Sequence, residues 1–324
     1  MSSIAILRLF GFLAPILLLA PAGHADFLTK ADQAFYKRAF NYAGKSNWKQ
    51  VELSVRKVQE QLPKKALKWM RIIDPKGKVN FNEISAFIHA NPHWPYQAKL
   101  RRRAEEAISE KTPKSVILKW FEGTAPTTGV GAFHMVRVLM SEKRTTEATM
   151  IARRAWVNID MAYRVENQFR KRYSKLIRAE DHIARLNRLL WKRRISAARR
   201  QLRRMNHDYQ WLGLARIALM RREPGVDYAV SKVPKQLIGD PGLVYERIRW
   251  RRKNRKYDSA IELLSQSGEP RTEAKKWWTE RRILSRWLLR KGRTNEAYAL
   301  ASSHRQTAGI GLAEGEWLSG WIAL

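Results

Sequence analysis

Cysteine is absent from the 324 residues, so the chain forms no disulfide and has neither a thiolate nucleophile nor a cysteine-ligated metal site. Acidic residues are scarce, because 29 Asp and Glu stand against 63 Lys and Arg, for a formal net charge of +34. Stability must therefore come from packing alone, which a chain of this length can supply. The charge predicts attraction to anionic partners.

Long apolar runs are also absent, except at the N-terminus. Arg8 precedes an apolar stretch from Leu9 to Ala20, and small residues then lead to Ala25. This order is typical of a secretory signal peptide, cleaved after Ala25 or, as a second choice, after Ala22. An uncleaved membrane anchor is the alternative, but the run is shorter than the ~20 residues that a spanning helix needs. We therefore predict an exported mature chain of residues 26–324 with no transmembrane segment.

Export determines which anionic partners this positively charged chain can meet. Nucleic acid is the usual partner of so basic a chain, but an exported protein meets little of it, so no nucleic-acid role is predicted. The anionic partners outside the cytoplasm are wall polymers, the carboxylates of their stem peptides and membrane headgroups. A solvated basic surface without a specific partner is the alternative.

Strand patterns are missing as well. Alternating Val, Ile and Thr runs and Asn-Gly or Asp-Gly hairpin turns do not occur. Helical periodicity is present instead, as at Ala148, Ile151, Ala152 and Ala155, which fall on one face of a helix. Gly and Pro between periodic segments, as at Glu223–Gly225 and Gly239–Gly242, predict turns between helices of roughly 10–18 residues. The sequence therefore predicts an all-α fold.

One phrase recurs, a basic residue followed four positions later by alanine at the start of a helix. Its instances are Arg144–Ala148, Arg194–Ala198, Lys256–Ala260 and Arg293–Ala297. A small alanine lets a neighbouring helix approach closely, and the second helix of a tetratricopeptide hairpin begins this way. The instances begin 50, 62 and 37 residues apart. We therefore predict an irregular tetratricopeptide-like solenoid, an α-α superhelix of helical hairpins.

The helix predicted near Thr272–Arg290 is apolar on more than one side. Ala274, Trp277 and Leu284 share one face, and Trp278 extends the apolar surface around the helix. Such a helix is packed on more than one side, as stacked hairpins require. Most of the 13 tryptophans are therefore predicted to lie in the core.

Catalytic and metal-binding patterns are not found. There is no Gly-rich phosphate loop, and the closest histidine pair, His89 and His93, is separated by Pro92, which breaks a helix. No catalytic residue, metal or cofactor is therefore predicted, and His304 is predicted to cap the C-terminal end of a helix. The acidic clusters Glu105-Glu106, Glu180-Asp181 and Glu314/Glu316 lie among many arginines. They predict ion pairs or charges at helix N-termini rather than glycan-cleaving carboxylates.

Tryptophan and arginine occur together in two stretches that could bind a glycan or a protein partner. Sugars stack on indole faces, and carboxylates pair with the guanidinium fork. A solvated outer face is the alternative for these arginines. The candidate contact residues are Trp250, Arg251, Arg252, Trp278, Arg281 and Arg282.

Four stretches toward the C-terminus are considered together with their order along the chain. They are Asp240–Arg252, Trp277–Arg282, Asn295–Tyr298 and Ala313–Leu324. In that order they resemble the N-terminal superhelical region of the soluble lytic murein transglycosylases. Three stretches nearer the N-terminus of this chain resemble earlier parts of the same family region: Asn91–Pro95, Arg101–Glu105 and Arg185–Trp191. The resemblance therefore covers roughly residues 30–324.

The resemblance implies a ring- or horseshoe-shaped superhelix in the periplasm. In that family a lysozyme-like domain follows, which cuts the MurNAc–GlcNAc bond of peptidoglycan and leaves a 1,6-anhydro sugar. The family's acid/base is a glutamate in a Glu-Ser motif. This chain contains no Glu-Ser dipeptide, so no family catalytic residue can be placed on it. We therefore expect residues 26–324 to correspond to the non-catalytic part of such an enzyme.

Three hypotheses for function follow. The first is a periplasmic superhelical domain that binds peptidoglycan or positions a catalytic domain and is inactive alone. The second is a tetratricopeptide-like scaffold that binds a periplasmic protein and has no glycan role. The third is an enzyme completed by a separate catalytic polypeptide.

Overall fold

A computed structural model describes residues 28–56, 58, 62–267 and 272–324. The predicted signal peptide and its cleavage site at Ala25 lie outside the described residues. Within them the chain is helical throughout and contains no strand, which confirms the predicted all-α class. No helix of this part of the chain is both long and apolar enough to cross a bilayer.

Eighteen α-helices are described, and two short 3-10 turns follow α9 and α13. The helices are α1 (Lys30–Gly44), α2 (Trp48–Ser54), α3 (Leu62–Ile73), α4 (Phe81–Ala90), α5 (Gln97–Glu106), α6 (Lys114–Trp120), α7 (Gly129–Ser141), α8 (Thr145–Asn158), α9 (Tyr163–Tyr173), α10 (Ala179–Trp191), α11 (Ile195–Leu202), α12 (His207–Arg221), α13 (Val226–Ser231), α14 (Pro241–Lys253), α15 (Tyr257–Gln266), α16 (Ala274–Arg290), α17 (Thr294–Ser302) and α18 (Gly309–Ala323).

The described residues form two compact units. Unit 1 contains the described residues up to Ala155 together with Ile159–Leu176, and unit 2 contains Trp156–Asn158 and Ile177–Leu324. Within each unit a helix packs mainly against the helices one or two places along the chain, as in a solenoid.

The repeated basic-to-alanine phrase marks one turn geometry each time. Its basic residue is the N-cap of the second helix of a hairpin, with φ from −81° to −88° and ψ from 60° to 63°. The residue before the cap has a left-handed φ, and is Lys143, Arg193, Arg255 or Gly292. The N–H of each cap donates to the carbonyl five residues earlier, at 2.8–3.0 Å. These hydrogen bonds end the first helix, and only three residues separate it from the second.

The alanine of each phrase is fully buried at the start of the second helix. The four hairpins predicted from the phrase are therefore confirmed as α7–α8, α10–α11, α14–α15 and α16–α17. A fifth hairpin, α1–α2, has the same turn, with Ser46 at φ 57° and the Asn47 N–H donating to the Tyr42 carbonyl at 2.9 Å. The phrase missed it because Asn47 and Val51 replace the basic residue and the alanine.

Asp240 begins α14 rather than a loop. Its side chain accepts a hydrogen bond from the Leu243 N–H at 2.9 Å, and Pro241 is the first helical residue. The prediction that Gly239–Gly242 is entirely a turn was therefore wrong at its second half. Proline suits the first helical position because that N–H has no partner within the helix.

Helix α16 is buried on two sides, as predicted. Trp277, Trp278, Leu284 and Leu288 are all buried, and they belong to the largest apolar cluster of unit 2. Eleven of the 13 tryptophans are buried or half-buried. The two exceptions both lie on α18.

Candidate functional site

Glu246 of α14 is a buried carboxylate paired with an arginine from another hairpin. Both of its oxygens accept from Arg193 Nη2, each at 3.0 Å, and Arg193 lies in the turn after α10. Burial raises the pKa of Glu246, although Arg193 and Arg249 oppose the shift. The pair joins two hairpins across 53 residues of sequence.

Two further arginine–carboxylate pairs join helices of unit 2, one with a buried carboxylate and one with a partly exposed carboxylate. Glu280 of α16 is buried and accepts two hydrogen bonds from Arg252 of α14, one of them from Nη2 at 2.9 Å. Glu314 of α18 accepts from Arg282 Nη1 of α16 at 2.7 Å and from the Trp278 indole at 3.2 Å. The hydrogen bond from Trp278 lowers the pKa of Glu314.

We call these three pairs the carboxylate clasps: Arg193–Glu246, Arg252–Glu280 and Arg282–Glu314. Each joins the first helix of one hairpin, or the turn after it, to a later helix, in the order α10, α14, α16 and α18. Glu246 and Glu280 are buried, so removal of their arginines would leave a buried charge, whereas the Arg282–Glu314 pair is partly exposed. The clasps therefore set how successive hairpins of unit 2 pack.

Arg216 of α12 fills the gap between α10 and α14. Its Nη1 donates to Asn187 of α10 at 2.8 Å and lies 3.4 Å from Asp240. Gly242 is required beneath it, because a Cβ there would lie 2.1 Å from the guanidinium. Burial lowers the pKa of Arg216, although Asp240 opposes the shift, and Nε and Nη2 have no hydrogen-bond partner among the described residues.

An open cavity of about 270 Å³ lies beside Arg216 in unit 2. Asn187, Tyr209, Gln236 and Asp240 supply its polar lining, and Leu186 and Leu212 are among its apolar residues. Gln236 donates to Asp208 at 3.1 Å.

The candidate contact residues are largely used inside unit 2. Trp278 and Arg281 are buried, and Arg252 and Arg282 belong to clasps. Trp250 is half-buried against the cluster around Leu212 and Leu243, with Lys256 Nζ 5.2 Å from its ring. Arg251 donates to the Ser259 carbonyl at 2.6 Å. The structure brings Trp278 and Arg282 together, but on Glu314 rather than on an open face.

Other basic residues on or next to the same helices are exposed, and sequence reasoning did not name them as candidate contacts. They are Lys253 at the end of α14, Arg255 in the following turn, and Arg286 and Arg290 on α16. The sequence did contain a signal for part of this set. Arg282, Arg286 and Arg290 are spaced four residues apart, which places them on one face of a helix. Of these three, Arg282 alone is in a clasp.

The acidic clusters have structural partners, as predicted. Glu105 is fully buried and accepts from the Thr127 and Thr128 N–H groups at 2.9 and 2.8 Å, which fixes the start of α7. Asp181 accepts from the Arg178 N–H at 2.9 Å, and Glu316 contacts His304 at 3.1 Å.

His304 does not bond the last carbonyls of α17, contrary to the prediction that it caps that helix. Its Nδ1 accepts from the Gln306 N–H at 3.0 Å, and its Nε2 faces Glu316 of α18. His304 therefore fixes the α17–α18 connection. In the described part of the chain, no group of three or more His, Asp or Glu residues is placed to hold a metal ion.

Comparison of the chain with protein-family models, curated proteins and solved structures gave no match.

Proposed function

We propose that this chain is a periplasmic superhelical domain of the soluble lytic murein transglycosylase type. It binds peptidoglycan, or positions a catalytic domain on it, and does not cut the glycan by itself. The supporting observation is that the stretches carrying the resemblance supply the carboxylate clasps. Glu246, Glu280 and Glu314 each come from a different one of them, in order along the chain.

This coincidence matters because a superhelical region is defined by how its hairpins stack. The carboxylates in these stretches pair with arginines on or beside α10, α14 and α16, and such contacts between successive hairpins are what a stacked array needs. Asp240 and Gly242, from the first stretch, have comparable roles at the N-terminus of α14 and beneath Arg216.

The surface chemistry supports an anionic polymer as the ligand. The net charge of +34 leaves many cations without an acid, and Lys253, Arg255, Arg286 and Arg290 are exposed in unit 2. Stem-peptide carboxylates match guanidinium forks, and the apolar faces of sugar rings match half-buried indoles such as Trp250.

The test is incubation of the purified chain with peptidoglycan sacculi. We expect the chain to co-sediment with sacculi at moderate salt and to release no 1,6-anhydro-muropeptides. Release of anhydro products would contradict the claim of inactivity. Failure to co-sediment would contradict wall binding.

A charge-reversal variant with a matched control locates the contact. The triple change Lys253→Glu, Arg255→Glu and Arg290→Glu removes exposed cations of unit 2 without touching a clasp. The control changes three exposed lysines of unit 1, Lys37, Lys45 and Lys49, to Glu and has the same net charge. Loss of co-sedimentation in the first variant alone places the contact in unit 2, and equal loss in both indicates that net charge alone attracts the chain.

A protein-binding scaffold is the second candidate, because the hairpins share a turn and a buried alanine of tetratricopeptide type. This candidate predicts that the chain retains a defined periplasmic protein and does not co-sediment with sacculi. The two candidates therefore give opposite results in the same sedimentation assay.

A further inference from the structure

Helix α18 is apolar on two opposite sides. Gly315, Leu318, Ser319 and Ile322 face the interior of unit 2 and are buried. On the opposite side Trp317 is 60% exposed and Trp321 is 55% exposed. An amphipathic helix at the surface of a protein normally turns its apolar stripe inward and a polar side outward. The outer side of α18 departs from that pattern.

The exposed side is organised rather than scattered. The Trp317 and Trp321 rings are parallel within 4°, with centroids 6.0 Å apart. Ile310 and Leu324 are exposed on the same side. The other eleven tryptophans of the chain are buried or half-buried, so this pair is the exception. Contiguous exposed apolar surface of this kind marks an interaction site.

The side chains of this face are arranged symmetrically about Trp317. Ala313 and Trp321 lie four residues away on either side, and Ile310 and Leu324 lie seven residues away. If two copies of α18 pack antiparallel about a two-fold axis at Trp317, Trp321 of each copy meets the small Ala313 of the other. Ile310 then meets Leu324. Each of these contacts occurs twice, as a two-fold interface requires, and at Trp321 and Ala313 a large residue opposes a small one.

The area is sufficient for a weak but specific dimer. A tryptophan can bury up to about 250 Å², so each half-exposed indole has roughly 150 Å² to lose. With Ile310 and Leu324 the face offers roughly 600 Å² per copy, or about 1,200 Å² in total, the lower edge for specific interfaces.

The local charge permits self-association. Helix α18 carries Glu314 and Glu316 but no Lys or Arg, in a chain of net charge +34. Two copies meeting here therefore bring no basic residues of this helix together. The remaining repulsion between two basic chains is long-range and weakens with salt.

We infer that α18 is a self-association surface, and that two copies of this chain dimerise through antiparallel α18 helices about Trp317. The inference does not depend on wall binding. The two also respond to salt in opposite directions, since salt strengthens the dimer and weakens electrostatic binding to an anionic polymer. Failure of one is therefore distinguishable from failure of the other.

The experiment is sedimentation velocity of the purified chain over a wide concentration range, at low and moderate salt. We expect a reversible monomer–dimer equilibrium whose dissociation constant falls as salt rises. Trp317→Ala and Trp321→Ala are each expected to raise that constant about tenfold or more. Tyr228→Ala, at another exposed aromatic of unit 2, is expected to leave it unchanged.

A residue swap tests the antiparallel geometry itself. Ala313→Trp alone opposes two large side chains and is expected to abolish the dimer. Combined with Trp321→Ala it restores one large residue against one small residue, and dimerisation should return. Every changed position is exposed, so the substitutions are not expected to unfold the chain.

A chain that stays monomeric at all concentrations overturns the inference, and so does a dimer whose dissociation constant is unchanged by substitution of Trp317 and Trp321. Monomers whose indole fluorescence responds to glycan strands instead would also overturn it.

Discussion

At the scale of single residues, several buried polar groups of this protein have partners distant in sequence. Asp74 in unit 1 is an example, because its two oxygens accept from the Trp48 indole at 2.7 Å and from the Lys76 N–H at 3.0 Å. Burial alone would raise the pKa of Asp74, but the hydrogen bonds from Lys76, Ser46 and Trp48 outweigh it and lower the pKa. The carboxylate form is therefore the one that unit 1 stabilises.

Asp74→Asn should reveal that preference as a pH dependence. Because the folded-state pKa is depressed, the stabilisation is present above the unfolded pKa and is lost as pH falls toward the folded one. We expect the variant to lose about 1–3 kcal/mol of unfolding free energy at neutral pH, and less in acid. Urea unfolding followed by circular dichroism measures both. Asp227→Asn, at an exposed position, is the control. If the unfolding free energy of Asp74→Asn followed pH in parallel with that of the unmodified chain, the claim that unit 1 stabilises the Asp74 carboxylate would be contradicted.

Residue-level roles were the part that the sequence predicted least well. The pairing of acids with arginines was expected, but periodicity does not say which arginine meets which acid. Arg193 and Glu246 are 53 residues apart, and Arg252 and Glu280 are 28 apart. Trp278 and Arg281 were expected as candidate contacts, yet they are buried because α16 packs on two sides. Such long-range choices depend on tertiary packing, which one sequence does not display.

At the scale of elements, the repeated turn was predictable because it is local. Two residues end one helix and cap the next, so the phrase needs only a cap, a left-handed residue before it and a small residue after it. The α1–α2 hairpin shows the limit of that reasoning. Its turn is the same, but Asn47 caps through its side chain, which accepts from the Gln50 N–H. Backbone geometry is thus conserved among the hairpins while residue type is not.

Ala260→Leu tests the packing role of the buried alanine in α15. Ala260 is fully buried, so added carbons would force α14 and α15 apart at a cost of about 1–3 kcal/mol. Ala299→Leu, at an exposed position of α17, is the matched control and should change stability little. Chemical denaturation of both variants measures the difference. Equal stability of the two would show that the hairpin does not need a small residue there.

At the scale of the whole molecule, charge is the dominant property. The chain carries 63 basic and 29 acidic residues, and several of the acids are paired in clasps or hold helix starts. The surplus of charge on the chain is therefore positive. Exposed charges are screened over about 10 Å at 0.1 M salt. Binding to an anionic polymer should thus depend steeply on ionic strength.

We expect co-sedimentation with sacculi to fall steadily as sodium chloride is raised, and to recover on dilution. The fraction bound at each step measures it, with light scattering of the free chain as a check that the protein has not aggregated. Binding that is insensitive to salt would point to contacts dominated by indole and sugar faces rather than by guanidinium groups.

The carboxylate clasps also bear on how the gene can change. A hairpin built around the same turn as the other hairpins looks easy to delete or duplicate. Yet Glu246 and Glu280 are buried and take their counter-ions from other hairpins. Deletion of the α14–α15 segment would remove Glu246 and Arg252 together, leaving the buried Glu280 without its arginine, at a cost of about 3–5 kcal/mol. Loss or gain of a single hairpin in unit 2 is therefore expected to cost more stability than a change in the length of a connection.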